Sequence, residues 1–264
     1  MIENVVIIGS GNLATQLALA LSEKGIGVKQ VYSRTLEAAQ ELAEKVDAEF
    51  TNDISRLAPD ADLYIISVKD AAIQEVLMNL SLDQNRLVVH TAGSVSIEAL
   101  SSFTHHYGVF YPLQTFSKYR AADFSDIPIC IEANDSAALI QLQELAQTLS
   151  SSVHPINSEE RKTLHLAAVF VNNFVNHLYA IGAEILHNQK LDFNLLKPLI
   201  HETAAKIDTW HPLVAQTGPA RRKDQAIISA QLKMLQDRPE FQKIYNFVTE
   251  SIYQIQQNHN NDLL

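Results

Sequence analysis

The sequence predicts an α/β domain built on a doubly wound, mainly parallel sheet, followed by an all-α domain. Three observations predict it. Short β-branched apolar runs alternate with amphipathic helical patterns from Asn4 to Ile156. The first run is closed by a glycine turn, Gly9-x-Gly11-x-x-Ala14, which opens the first helix. After Ile156 no strand pattern recurs and helical periodicity takes over. The expected division is residues 1–157 and 158–264.

Asn4 to Ile8 reads as the first strand and Asn12 to Glu23 as the first helix, with Leu13, Leu17, Ala20 and Leu21 inward. Gly9 permits a sharp exit from the strand. Gly11 lets a pyrophosphate approach the backbone, and Ala14 lets helix and strand pack closely. The helix N-terminus would face that pyrophosphate with free N–H groups and its positive dipole end. This is the Rossmann dinucleotide fingerprint, with Gly9, Ser10, Gly11, Asn12, Leu13 and Ala14 as cofactor-binding candidates. The alternative is a plain βα turn that uses its glycines only for geometry.

The second strand, Val28 to Tyr32, ends in Ser33-Arg34-Thr35. A site for NAD usually has Asp or Glu about 20 residues beyond the glycines, to bind the ribose hydroxyls. Here a forked cation and two hydroxyls stand instead, which suit a 2′-phosphate and favour NADP(H). The alternative makes Arg34 a surface residue and Thr35 the cap of the helix beginning at Leu36.

The next elements follow in alternation. Helix Leu36 to Val46 precedes strand Ala48 to Thr51. Strand Asp62 to Val68 leads to helix Ala71 to Leu80, and strand Arg86 to His90 follows. Strands at Tyr107 to Gln114 and Pro128 to Glu132, helix Ser136 to Leu149 and edge strand Ser152 to Ile156 extend the sheet as further βα units. Ligands collect at strand carboxyl ends in such sheets. Val68-Lys69 and Thr91-Ala92-Gly93 are therefore added to the cofactor candidates. The Thr91-to-Ser94 turn could hold the nicotinamide amide or a substrate oxygen, or Ser94 or Ser96 could simply cap a helix. His90 reads as structural.

Asn157 and Glu160 have the spacing of a capping box, with acids in the first turn. From there one helix of roughly 30 residues, about 45 Å, runs to about Gln189. Helices at Asn194 to Trp210, Lys223 to Gln236 and Pro239 to about Gln257 complete the chain, with a frayed tail expected from His259 to Leu264. Apolar surface on such a domain calls for a symmetric dimer.

With 264 residues and 47% apolar composition, the chain has ample core. Its net charge of −10 argues against nucleic-acid binding. The single Cys130 excludes an internal disulfide and fits a reducing compartment. Met1 leads straight into the first strand, so no signal peptide is expected. No uninterrupted apolar run reaches about 18 residues, so no membrane span is expected and the location expected is cytoplasmic. No metal-ligand spacing occurs.

Candidate chemistry lies on the long helix. His165, Asn172, Asn176 and Tyr179 share one α-helical face, with Asn173 about one hundred degrees around. His165 could donate a proton and Asn172 or Asn173 could hold substrate; equally, the stripe could face solvent or a partner. Tyr111 and Gln114, on the rigid Tyr-Pro-Leu-Gln turn, are candidates for the substrate pocket wall. Arg222 could bind a carboxylate or phosphate, or its turn could serve only helix capping with Asp224.

Taken with Ser33-Arg34, Val68-Lys69, His90-to-Ser94, Tyr111-to-Gln114 and Thr217-Gly218-Pro219, the whole chain resembles a Rossmann-like family with a helical C-terminal domain of unknown function, the deazaflavin-dependent type of NADP oxidoreductase. The N-terminal half is also similar to pyrroline-5-carboxylate reductase. The resemblance implies a helical domain of the 6-phosphogluconate dehydrogenase type and a homodimer. Two departures stand out: Tyr111 replaces the family's usual histidine, and Lys223 its glycine. The lysine that β-hydroxyacid dehydrogenases carry four residues before an asparagine is replaced here by Ala168 or Val169. The expected function is NADP(H)-dependent hydride transfer with a small carbonyl, imine or redox-carrier substrate. The alternatives are a pyrroline-carboxylate-type imine reductase and a sensor that binds NADP(H) without turnover.

Overall fold

The computed structural model describes residues 1–261. They divide into two compact units, Met1–Asn173 and the residues from Phe174 on.

The first unit is an eight-stranded sheet: β1 (Asn4–Ile8), β2 (Gly27–Tyr32), β3 (Glu49–Thr51), β4 (Leu63–Ile66), β5 (Leu87–His90), β6 (His106–Pro112), β7 (Ile129–Ala133) and β8 (Val153–Pro155). Their order is β3-β2-β1-β4-β5-β6-β7-β8. On β1, Val5 and Ile7 enter one apolar core while Val6 and Ile8 enter a second on the opposite face. Burial on both faces explains why these strands read as unbroken apolar runs.

Helices α1 (Asn12–Glu23), α2 (Leu36–Ala43), α3 (Asp70–Asn79) and α4 (Ser136–Leu149) belong to this unit, as does α5 (Ser158–Ala168). α5 opens with the expected capping box: Asn157 accepts from Glu160 N–H, and Glu160 accepts from Asn157 N–H. One expectation is corrected. β6 and β7 pair antiparallel, and residues 113–128 form no helix between them. A parallel return needs a crossover, usually helical; without it β7 enters reversed.

A second correction concerns the long helix. After α5 the chain forms a π-helical segment, Val169–Phe174, before α6 (Val175–Asn188). Bonds from i to i+5 place more residues in each turn and shift the phase. The single face expected from α spacing for His165, Asn172, Asn176 and Tyr179 therefore does not carry across. The run Ser158–Asn188 is 31 residues long, and its most apolar 18-residue window has a mean hydropathy of 1.2, enough by length and composition to cross a membrane. Counting only uninterrupted apolar residues overlooks it.

The second unit continues with α7 (Lys197–Ala205), α8 (Pro212–Ala215), α9 (Pro219–Arg222), α10 (Gln225–Met234) and α11 (Pro239–Asn261). The helix expected over Asn194 to Trp210 is a shorter α7 flanked by 3-10 turns at Phe193–Leu196 and Lys206–Asp208. α11 extends past Gln257 to Asn261, and positions 262–264 of the expected frayed tail lie outside the described residues. Ala220 and Ile228 alone are buried among the described residues from Phe174 on. Large apolar side chains stay open, including Leu195 at 67%, Met234 at 80% and Phe247 at 77% exposure.

Candidate functional site

The carboxyl ends of the central strands converge on a cleft of about 900 Å³ that lies wholly in the first unit. Its floor is the glycine turn. Gly9 has φ +126°, and a Cβ there would sit 2.1 Å from the Ser67 carbonyl oxygen, so the turn needs glycine on both counts. Gly9 N–H donates to Tyr32 O at 2.8 Å and Ser67 N–H to Ile8 O at 2.8 Å, which locks the turn between β2 and β4. A Cβ on Gly11 would meet nothing within 4 Å, so the space beside this backbone is open. A bare turn at the start of α1 beside such a cleft fits a diphosphate.

At the end of β2, Ser10 Oγ donates to Ser33 Oγ at 2.9 Å. Arg34 is exposed, lines the cleft and makes no ion pair among the described residues. Thr35 occupies the N-cap position of α2 without a side-chain cap bond and is off the cleft wall.

The opposite wall carries the polar groups. Thr91 Oγ1 donates to Ser67 Oγ at 3.2 Å, and Ser94 Oγ donates to Asp70 at the start of α3. Tyr111 Oη lies 3.0 Å from His165 Nδ1, with the rings edge-on at 72°. Burial pushes the Tyr111 hydroxyl up to about 12, with the Cys130 and Asp70 charges adding to it. Tyr111 therefore keeps its proton through neutral pH, and a neutral His165 that accepts its hydrogen bond at Nδ1 carries its own proton on Nε2. A Cβ on Gly93 would lie 2.6 Å from His165 Nδ1, so glycine here is what lets the imidazole reach the tyrosine.

This arrangement rests on a buried ion pair. Arg161 of α5, only 1% exposed, is bound to Glu132 of β7 and donates to Val95 O at 2.6 Å. Glu132 also accepts from Ser158 N–H and Oγ, and Ser158 Oγ accepts from Ile97 N–H. The helix bearing His165 and the turn bearing Gly93 are thus fastened together. His90 is fully buried, with Nδ1 accepting from Ala92 N–H at 3.2 Å and Nε2 facing Ser96 O at 3.4 Å. Ser96 caps a 3-10 turn, Ile97–Leu100, as one reading of that stretch expected.

Of the candidates read from sequence, the cleft gathers Gly9 to Ala14, Ser33, Arg34, Val68, Lys69, Thr91 to Gly93, Tyr111 and His165. Asn172 and Asn173 lie in the π segment, exposed and off this wall. Gln114 lines a separate cavity of about 330 Å³ with Phe116 and Arg120. Arg222 belongs to the second unit and is exposed in α9, before Asp224, which caps α10. Sequence reasoning missed Ser67, Asp70 and Lys118, which also line the cleft. Asp70, directly after Val68-Lys69 at a helix start, was findable; Lys118 sits in a stretch with no periodic signal.

Residues 4–94 match the model of the NADP oxidoreductase, coenzyme F420-dependent family, and residues 127–252 match a domain of unknown function, DUF2520. A Bacteroides fragilis protein, provisionally named an NADP oxidoreductase, is 47% identical and superposes with a TM-score of 0.90, covering 96% of this chain and 98% of its own. An imine reductase from Myxococcus stipitatus, solved in complex with NADP+, shares the fold with a TM-score of 0.60 at 16% identity, over 98% of this chain and 94% of its own. Pyrroline-5-carboxylate reductase from Aquifex aeolicus is 29% identical over 94 residues, 36% of this chain, and the match spans about a third (35%) of that enzyme's length. A Rossmann unit with a cleft shaped for a dinucleotide, joined to a helical region and matched nearly end to end by one relative, leads to one conclusion: the chain belongs to the family of NADP oxidoreductases, NADP-dependent enzymes that join this N-terminal domain to DUF2520.

Proposed function

We propose that this enzyme reduces the C=N or C=O bond of a small molecule at the mouth of the cleft, with His165 and Tyr111 handling the proton. The observation that carries the reading is the 3.0 Å contact between Tyr111 and His165 on the wall facing the glycine turn. NADPH, when bound, supplies the hydride. The glycine turn would seat the diphosphate, Arg34 with Ser33 and Thr35 the 2′-phosphate, and Val68, Lys69 and Thr91 to Gly93 the nicotinamide end.

The protonated His165 ring gives its Nε2 proton to the nitrogen or oxygen that gains electron density and is left neutral, while Tyr111 Oη, in contact with Nδ1, keeps the imidazole oriented. Asn172, Asn173, Gln114 and Arg222 stand off the cleft wall and are given no part in this proton step. An imine is favoured over a hydroxyacid because Ala168 and Val169 stand where hydroxyacid chemistry uses a lysine, and because 94 residues of the chain match a pyrroline-5-carboxylate reductase at 29% identity.

We also propose a homodimer through the helical unit, of the 6-phosphogluconate dehydrogenase C-terminal type, with 158–264 as its domain. The support is the open apolar surface around Leu195, Leu199, Met234 and Phe247. A cytoplasmic location is supported by the free, buried Cys130. It is also supported by Asn172, Asn173, Asn176 and His177 in the middle of the long helix, which hydrocarbon would penalise.

The test is NADPH oxidation against a panel of cyclic imines, ketones, aldehydes and a deazaflavin. At least one substrate should turn over, imines fastest. His165→Gln should lower kcat by about 10²-fold or more with NADPH affinity unchanged. Tight NADPH binding with no oxidation by any class would overturn the reading in favour of a nucleotide sensor.

A further inference from the structure

The loop between β6 and β7 has no strand or helix of its own, yet it is held at three places. Gln16 of α1 is only 3% exposed, and its amide works in both directions: Nε2 donates to Ser117 O at 2.8 Å and Oε1 accepts from Ala122 N–H at 3.0 Å. Phe116 and Phe124 stack at the base with centroids 5.5 Å apart. At the tip, Lys118 N–H donates to Asn12 Oδ1 at 3.3 Å, and Asn12 is the first residue of α1, directly after Gly11.

A buried glutamine side chain that ties down both arms of a surface loop fixes where the loop's tip lies. Here it fixes Lys118 against the glycine turn, where Lys118 lines the cleft half-buried and makes no ion pair among the described residues. Its positive field reaches Glu41 of α2, whose carboxyl is held below its usual range mainly by Lys45 and in smaller part by Lys118. A cation is thus held, without a carboxylate bound to it, beside the backbone that lacks side chains.

We propose that Lys118 is the cation for the cofactor's bridging diphosphate, carried across the cleft by the loop that Gln16 fastens. This rests on the assignment of the cleft to NADP(H). It divides the charge recognition in two: Arg34 answers the 2′-phosphate, which only NADP(H) carries, and Lys118 answers the diphosphate, which every dinucleotide carries. A point charge on a flexible stem suits a diphosphate already cradled by backbone N–H groups, since those supply the directional bonds.

The experiment is calorimetric titration of the intact protein with NADPH, NADH and ADP-ribose, using wild type, Lys118→Ala and Lys118→Arg. ADP-ribose keeps the diphosphate but lacks both nicotinamide and 2′-phosphate. Lys118→Ala should weaken all three by a similar factor, roughly tenfold, the loss of one charge-assisted contact to a partly solvated phosphate. Lys118→Arg should restore most of it. Unchanged affinities in Lys118→Ala would overturn the proposal while leaving the cleft assignment intact, and so would a loss confined to NADPH, which would move Lys118 to the 2′-phosphate. Failure of wild type to bind any of the three would overturn the cleft assignment and this proposal with it.

Discussion

Acidification should loosen the cleft through His90, and the size of the effect follows from its surroundings. The ring is fully buried, its Nδ1 accepts from Ala92 N–H, and its Nε2 proton is directed at Ser96 O. Both partners lie in the turn that carries Gly93. Protonation would place a second N–H at Nδ1, donor against donor. Burial, followed by the Arg161 charge, depresses the pKa to about 4, and the Ser96 carbonyl, Asp70 and Glu132 only partly offset this. In the unfolded chain the value is about 6.5. The unfolded state therefore binds more protons between these limits, and stability falls as pH drops from about 6.5 towards 4. The full window is worth roughly 3 kcal/mol, of which about 2 kcal/mol is lost by pH 5.

For a chain of this size that corresponds to a fall in Tm of about 4–8 °C between pH 7 and 5. The carboxylates held low by their partners, such as Asp53 and Asp135, act below this window. Thermal unfolding of wild type and His90→Asn at pH 7, 6 and 5 provides the assay. The variant, less stable at pH 7, should show a nearly flat profile down to pH 5. Equal slopes in the two proteins would refute the reasoning.

Three further outcomes follow from the same geometry. Gly93→Ala places a Cβ 2.6 Å from the His165 ring and should displace it from Tyr111; we expect about 1–3 kcal/mol of destabilisation by denaturant titration and a large fall in kcat. Arg161→Met leaves the Glu132 carboxylate unpaired beneath the Val95–Ile97 turn and should cost roughly 3–5 kcal/mol, whereas a cost under about 1 kcal/mol would contradict the fastening role given to the pair. Sedimentation should give a dimer, and Leu199→Glu with Phe247→Glu should shift it towards monomer while leaving the Rossmann unit folded by circular dichroism.

The sheet was legible because its strands are buried on both faces: β1 and β4 are unbroken apolar runs, and α1 and α4 begin and end where their patterns do. The glycine turn was legible because φ +126° and the close Ser67 carbonyl demand glycine at Gly9, while glycine at Gly11 leaves the space beside the backbone open for a ligand. The reversal at β7 was not, since strand patterns carry no direction and only the missing crossover helix reveals it. The π segment also escaped, because its sequence Val169–Phe174 differs little from an apolar α turn and only the backbone bonding distinguishes it. Tyr111 and His165 were each noticed, but their meeting was hidden: they are 54 residues apart and depend on a glycine in a third segment. Lys118 depends on a buried Gln16 more than a hundred residues earlier in the chain, |i−j| = 101 to Ser117, and no local pattern announces that.

The central claim is that the glycine turn and Arg34 together select NADP(H), and calorimetry on wild type and Arg34→Glu with NADPH and NADH tests it most directly. Wild type should bind NADPH more tightly than NADH, and the variant should lose that preference while its NADH affinity stays nearly unchanged. No heat with either dinucleotide, or an equal loss of both in the variant, would contradict it.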